Sequence, residues 1–340
     1  MVTRDWLRRL PKAELHCHLD GSIRPSTLLE LAHEFGVPIP AGDAEGVRRY
    51  MRVENAHNLE EYLARFTTTV AVLQDAAALE RASFELVEDA ARDGVRYIEV
   101  RNAPILNTRA GLSLVEVVEA MLRGLRRGEQ VHGVIARLIV IALRHMPPSI
   151  SMEIAELAAA FRGSGVVAFD LAGAEFGYPA ADHAAAFLYA RERDLACTCH
   201  AGEGDGPLSV RQAVHRCGAH RIGHGTRLIE DPSLTEYAND HRIPLEICLT
   251  SNVQTRVAST YADHPLRRYV DLGLSVVLST DNRLMSDTTL TDEYHHAATE
   301  IGLTSDELRA IAINGFESAF LPWAERQALV ARMRAEIAAL

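Results

Sequence analysis

Short runs of apolar and β-branched residues recur eight times along the chain, each followed by a stretch of helical periodicity. They are Glu14–Leu19, Val95–Arg101, Val134–Leu143, Val166–Leu171, Leu195–His200, His220–His224, Ile243–Leu249 and Ser275–Thr280. Strands that alternate with helices pair in parallel through crossover helices, and eight such units are the number that closes a barrel. The predicted fold is therefore α/β, a (β/α)8 TIM-type barrel, with residues 1–340 forming one domain. Helix signals fall between the strands: Ser26 caps a run through Phe35, Asp182–Asp194 is Ala-rich, and Ser305-Asp-Glu-Leu opens a run ending before Asn314-Gly315. Residues 36–94 are too long for one connection and predict two or three helices folded over the barrel mouth. The helix near Asn58–Val72 is the candidate lid. Residues 290–340 read as helices bracing the outside, and no repeat, low-complexity tract or linker interrupts the pattern.

Composition narrows the class. With 340 residues, 48% hydrophobic and 24% charged, the chain has ample material for a core. Its longest apolar stretch, Val134 to Leu143, is interrupted by Arg137 and falls far short of the roughly 20 residues a membrane-spanning helix needs. The first residues lack an apolar segment with a small-residue cleavage site, so the expected compartment is the cytoplasm. A net charge of −11 opposes binding to nucleic acid, which requires clustered cations, and points to a small-molecule partner. Lys12 is the only lysine; the arginine and alanine bias reads as genome base composition, with no phosphate-binding design in it. Five cysteines, Cys17, Cys197, Cys199, Cys217 and Cys248, match no paired metal spacing and read as reduced thiols.

The candidate chemistry sits at strand ends. In His16-Cys-His18 the two imidazoles, two positions apart on a strand, project to the same side. His200 ends the fifth run, His224 the sixth, and Asp281 the eighth, all at the carboxyl ends where catalytic residues of such barrels gather. Each alone is ordinarily a solvated loop residue; their coincidence makes that reading untenable. Three imidazoles and a carboxylate with an open position for water suit zinc, with iron or manganese as the alternatives. Glu203 lies three residues past His200 and is followed by Gly204, a turn that points its carboxyl over the metal for acid/base work. His224, flanked by Gly223 and Gly225, need not coordinate; it serves equally to orient or to deprotonate the water.

At this point the chain resembles the adenosine deaminase family of the amidohydrolase superfamily. The matching segments are Pro11-Lys-Ala-Glu-Leu-His16-Cys-His18-Leu-Asp20-Gly-Ser, Asp170-Leu-Ala-Gly173, His200-Ala-Gly-Glu203, Arg221-Ile-Gly-His224-Gly, Thr250-Ser-Asn-Val-Gln, Ser279-Thr-Asp281 and Leu290-Thr-Asp-Glu-Tyr, in the family's order. The resemblance implies that His16, His18, His200 and Asp281 hold one zinc ion, that Glu203 gives a proton to purine N1, and that His224 positions and activates the attacking water. It further implies that Asp20 and His18 meet the ribose 5′-hydroxyl and that the backbone of Gly173 meets N3. Water then adds to C6, and ammonia leaves. Two departures stand out. Where many relatives carry a second aspartate and then proline, this chain has Asn282-Arg283; an asparagine amide donates directly to an unprotonated N7. Ala174 replaces an acidic residue of many relatives, with a local effect expected.

The implied reaction is hydrolytic deamination of adenosine and 2′-deoxyadenosine. A close alternative is deamination of 6-amino-6-deoxyfutalosine, an adenosine derivative of menaquinone synthesis, which differs only on the 5′ side. Adenine deaminases of the family typically carry glutamate where this chain has Asp20, which favours a nucleoside over a free base. An alternative of another class is a catalytically inactive purine- or metal-binding barrel, which the intact Glu203 and His224 oppose. Oligomeric state has no signature in the sequence. Glu99 and Arg101 project the same way from the second run and read as an ion pair with each other; His295 and His296 read as surface residues, and His33, His57 and His183 as solvated.

Overall fold

The computed structural model describes residues 2–53, 59–63 and 65–340, the side chain of Glu60 aside. Eight strands appear: β1 Lys12–His18, β2 Val95–Asn102, β3 Ile135–Leu143, β4 Val166–Ala172, β5 Ala196–Ala201, β6 Arg221–His224, β7 Leu245–Ile247 and β8 Val276–Leu278. Every neighbouring pair is parallel, in the order β1 to β8. The expected barrel is found, with its last strand shorter than the pattern predicted. β8 stops at Leu278, and Asp281 closes the ring beyond it: its N–H donates to His16 O at 2.9 Å and its carbonyl accepts from His18 N–H at 2.7 Å. A residue expected to bind metal thus also joins the eighth unit to the first.

Outward positions of the strands are apolar and pack under helices; Leu15, Cys17, Ile98, Val100, Ile222, Leu245 and Ile247 are all buried. Several inward positions are charged. Glu99, Arg101, Asp170, Arg221 and Glu246 fill the lower barrel and are essentially inaccessible to solvent. Glu99 and Arg101 do not pair with each other as their spacing suggested. Arg101 reaches across to Asp170 at 2.9 Å and Glu246 at 2.8 Å, while Arg221 binds Glu99 and, at 2.6 Å, Glu246. The reason is directional: two neighbours on one strand face point side by side, whereas residues on opposite walls of a barrel point at one another.

The C-terminal helices brace the outside as expected, but Ser305–Glu317 runs through Asn314-Gly315. Gly315 is there for contact: a Cβ on it would lie 3.1 Å from the Ala13 Cβ and 3.4 Å from Val277 Cγ1, so its bare backbone lets the helix lie on the barrel. Thr304, with Glu307, makes the capping box. Ser26 caps nothing; the helix Pro25–Phe35 begins with Pro25 in its first turn. The Ala-rich segment forms a 3-10 turn, Ala180–His183, and then a helix, Ala184–Arg191.

Between β1 and β2, beyond position 36, the described residues form four helices, one or two more than expected: Ala44–Met51, Leu59–Leu63, Phe66–Val72 and Ala76–Arg92. The last is the crossover helix. Asn58, at the start of the candidate lid, and His57 lie outside the described residues, whereas Leu59–Leu63 and Phe66–Val72 cover the mouth. Arg48 holds this insertion to the loop after β8 with a two-pronged bond to Asp287, 2.6 and 2.9 Å. His183 is buried, its ring bonded to Ser151 Oγ at 2.7 Å and Arg144 O at 3.1 Å, so it is not the solvated residue its context suggested; His295 and His296 are partly exposed, His296 stacking at 4.2 Å on Tyr261. His33 is exposed as expected. All five cysteines are buried free thiols, and no described helix is long and apolar enough to cross a membrane.

Removing Arg221 leaves Glu99 and Glu246 facing each other without their shared cation, and breaking a buried pair in this way costs about 3–5 kcal/mol. Arg221→Met is expected to lose stability on that scale in urea unfolding, and Glu99→Gln in the same chain to restore part of it; a midpoint equal to wild type would refute the account.

Candidate active site

The carboxyl rim gathers all nine residues singled out from the sequence. His18, Asp20, Gly173, His200, Glu203, His224, Asp281 and Asn282 line a cavity of about 400 Å³, the size of a small-molecule site, and His16 stands directly behind it. His16 and His18 reach it by strand alternation. His224 and Asp281 reach it by leaving the strand: their φ angles are +61° and +59°, the left-handed region rarely adopted by side chains other than glycine. Arg221 points into the barrel, so a regular strand would place His224 on the outer face; the left-handed turn brings its ring inward. Gly223 makes room, since a Cβ there would lie 3.1 Å from His16 Cε1.

Hydrogen bonds fix which ring nitrogens are bare. His16 Nδ1 lies 3.0 Å from Glu246 Oε2, and His200 Nδ1 lies 3.2 Å from Asp170. A carboxylate only accepts, so each Nδ1 carries the proton and each Nε2 presents a lone pair. Those Nε2 atoms converge. His18 Nε2 is 3.3 Å from His16 Nε2 and 3.2 Å from His200 Nε2, and Asp281 Oδ1 is 3.3 Å from both His16 and His18. Four acceptors packed this closely repel unless a cation sits among them. Donors about 2.1 Å from a tetrahedral ion stand roughly 3.4 Å apart, which the observed spacings approach.

The donor set therefore fits a divalent metal. His224 also lies near, since His16, His200, His224 and Asp281 have donor atoms within 4.8 Å of one another. Its closest contact on this side is nonetheless Glu203 Oε2 at 3.3 Å, with Asn252 on its other nitrogen. Asp281 Oδ2 accepts from Ser251 at 2.7 Å, leaving Oδ1 for the cation.

Burial shapes the charges. It would raise the Asp281 carboxyl, but His16 beside it and the other imidazoles around it hold it well below the usual range. For Glu203 burial acts together with the nearby Asp281 and Glu175 carboxylates, pushing its pKa well above the ordinary value and leaving a proton to give. Asp20 is pushed up to about 7, chiefly by burial, and its Oδ1 has no hydrogen-bond partner. Asn282 Oδ1 is also buried without one.

Several working residues were not picked out from the sequence. Glu246 and Asp170 orient two of the histidines, and Ser251 and Asn252 hold Asp281 and His224. Asp170, Ser251 and Asn252 lie in the matched segments; Glu246 and Glu175 carried no local signal. Glu175, beside the expected departure at Ala174, accepts N–H bonds from Gly202, Glu203 and Gly204 at 2.7, 2.9 and 2.7 Å. That carboxylate sets the direction of Glu203. Gly204 is not the flexible pointer expected: a Cβ there would press within 3.1 Å of Leu59 and 3.2 Å of Glu175, so it is small for packing.

The family model for adenosine deaminase matches residues 11–336. An adenosine deaminase of Mycolicibacterium vanbaalenii is 43% identical over 347 residues, covering 97% of this chain and 95% of that protein. A probable adenosine deaminase of Dictyostelium discoideum is 43% identical over 321 residues, covering 94% of this chain but only 42% of that longer protein. Among solved structures, an adenine deaminase from Arthrobacter aurescens aligns at TM-score 0.88 with 27% identity, over 96% of this chain and 98% of its own. The arabidopsis N6-mAMP deaminase aligns at 0.87 with 31% identity, over 97% and 99%.

The barrel and its rim of donors define an amidohydrolase, an enzyme that directs water at a C–N bond. More particularly, the chain belongs to the adenosine deaminase family.

Glu175→Gln keeps the shape of the side chain but turns one acceptor into a donor facing backbone N–H groups. In a catalytic role, a misplacement of the Glu203 carboxyl by about 1 Å costs on the order of 100-fold. The variant is expected to lose kcat on that scale while KM and bound metal stay close to wild type; an unchanged kcat would remove Glu175 from the site.

Proposed function

We propose that this enzyme hydrolyses the 6-amino group of adenosine and 2′-deoxyadenosine, releasing inosine or 2′-deoxyinosine and ammonia, with one zinc ion held by His16, His18, His200 and Asp281. The observation that carries the reading is the pairing of that donor cluster with the buried carboxyl of Glu203, 3.3 Å from His224 in the same cavity, where burial and neighbouring carboxylates raise its proton affinity. Zinc is favoured over harder cations by three imidazole nitrogens against one carboxylate oxygen. When bound, it supplies the Lewis acidity that makes water a nucleophile near neutral pH.

The protein's own groups do the rest. Glu203 delivers its proton to purine N1, drawing electrons from C6 as the water oxygen bonds there. His224 holds that oxygen on its line of approach. The water gives up both its protons in the process, one returning to Glu203 and one reaching the amino group; the C6–N bond then breaks, ammonia leaves, and the purine keeps the oxygen as a carbonyl. Asn282 donates to N7, and the N–H of Gly173, which lines the same cavity, donates to N3. Asp20 and His18 receive the 5′-hydroxyl.

Asp20 also favours a nucleoside over a nucleotide. The carboxyls of Asp20, Glu203 and Asp281 face the cavity, and among the described lining residues the only arginine or lysine is Arg109, exposed at the mouth. A 5′-phosphate beside Asp20 meets like charge and no buried cation.

Steady-state assays on adenosine, 2′-deoxyadenosine, adenine, AMP and 6-amino-6-deoxyfutalosine test this directly. Adenosine and its 2′-deoxy form are expected to have the highest kcat/KM and AMP among the lowest. Preference for 6-amino-6-deoxyfutalosine would transfer the reaction to that substrate, and no turnover of any by zinc-loaded protein would leave a binding barrel. Glu203→Gln is expected to keep zinc, measured by elemental analysis, yet lose at least about 100-fold in kcat, the scale of general-acid catalysis; an active variant would remove Glu203 as the acid.

A further inference from the structure

The hydrogen bonds behind His224 assign its proton. The chain of reasoning starts at Leu266, whose backbone N–H can only donate and does so to His264 Nδ1 at 3.1 Å. That nitrogen is therefore bare. Burial lowers the pKa of His264 to about 3, so the ring is neutral and its one proton sits on Nε2. This Nε2–H points at Asn252 Oδ1, 3.2 Å away, which also accepts from the Thr226 hydroxyl at 2.9 Å. Exchanging the oxygen and nitrogen of the amide would set its NH2 against the His264 proton, so the amide has one orientation.

Its Nδ2 end faces His224 Nδ1 at 3.0 Å. An amide nitrogen only donates, so Nδ1 of His224 accepts and the ring's proton lies on Nε2, on the side of Glu203 and the cavity. To take a proton from water, Nε2 would have to start bare and Nδ1 protonated. That tautomer puts two donors head to head with Asn252, all three groups being buried.

We propose that Asn252, locked by His264 and Thr226, is a positioning residue that fixes the tautomer of His224, so that this imidazole donates a hydrogen bond to the oxygen attacking C6 and is not the base. Of the two roles open to His224 in the sequence, orienting or deprotonating the water, the network selects the first. The proton shed by the water passes to a carboxylate of the site, and Nε2–H stays in place as the C6–O bond forms. The inference rests on the deaminase reading only for the identity of that oxygen.

The test is the 15N spectrum of zinc-loaded protein labelled at histidine, with His224 identified by the signals lost in His224→Asn. The expected wild-type pattern is a protonated Nε2 and an unprotonated Nδ1; the reverse pattern would overturn the proposal without substrate being involved. In Asn252→Asp the side chain still accepts from His264 and Thr226 but no longer offers an amide donor. The proton of His224 is expected to move to Nδ1 and kcat on adenosine to fall about 100-fold, the effect of losing one oxyanion donor, with KM and zinc content near wild type. A shifted proton with wild-type kcat would refute the assignment. Absence of turnover by wild-type protein with the expected spectrum would instead refute the deaminase reading and leave the tautomer standing.

Discussion

The carboxylate of Glu246 is where the fold and the site become one problem. It lies in the closed interior of the barrel and accepts from His16 at 3.0 Å, Arg101 at 2.8 Å, Arg221 at 2.6 Å and Thr198 at 3.3 Å. Burial would push its proton affinity up, but the two guanidiniums reverse this and hold it ionised, well below the usual range. An ionised acceptor is what keeps the His16 proton on Nδ1 and its other nitrogen bare. Arg101 carries the same logic across to Asp170, which does for His200 what Glu246 does for His16. Most barrels fill this space with layers of branched aliphatic residues. Here three carboxylates and two arginines occupy it, and such networks contribute little net stability over apolar packing of equal volume. Their return is orientation: lone pairs aimed at one point, and one negative charge in excess beneath a site suited to a cation.

Closure of the barrel depends on the same few atoms. β7 and β8 have only three residues each, and the ring is completed by main-chain bonds from Asp281 to His16 and His18. A non-glycine residue in the left-handed region costs of order 1 kcal/mol or more, and both His224 and Asp281 are held there. Around Asp281 the restraint is explicit: its N–H and C=O bond β1 and its carboxylate accepts from Ser251. Loosening any of these shifts the donor cluster and the barrel seam together. The insertion over the mouth is tied to the same stretch of chain, because Arg48 grips Asp287 and Tyr62 bonds Ser286 at 2.9 Å, only four or five residues beyond Asn282.

How much of this could be read in the sequence follows from the range of each interaction. Strand runs were legible because apolar and β-branched residues recur at their outward positions, and His16 and His18 because a period of two is local. The barrel's ionic interior was not. Glu246 acts on a residue 230 positions away, and nothing near it in the chain marks it as different from a surface glutamate. Glu99 and Arg101 looked like partners because adjacency along a strand is visible while the opposite wall is not. Gly315 looked like a stop because glycine ends helices more often than it lines a helix against a sheet; the contact with Ala13 lies 302 residues away. His183 sits in an Ala-rich stretch with no local mark of a partner, yet the 3-10 turn before its helix swings it beneath Arg144.

The two departures from the family pattern separate once the structure is in view. Arg283, in place of the usual proline, is buried and lies 3.4 Å from both Glu14 and Asp93, while its N–H bonds Ser22. It answers a need of the fold, since Glu14 is wholly buried and among the described residues its carboxylate otherwise bonds only Thr280. Asn282 answers to the cavity. Its side chain lies against Gly21, where a Cβ would come within 1.8 Å of Oδ1, so the amide is wedged against backbone at the cavity wall. An aspartate there must borrow a proton before it can donate to N7, in a pocket already holding Asp20, Glu203 and Asp281; an amide needs none. On the proposed reading, the exchange takes one titrating carboxyl out of a crowded set and leaves the purine a permanent donor, at the cost of the freedom to accept from a ring protonated at that nitrogen.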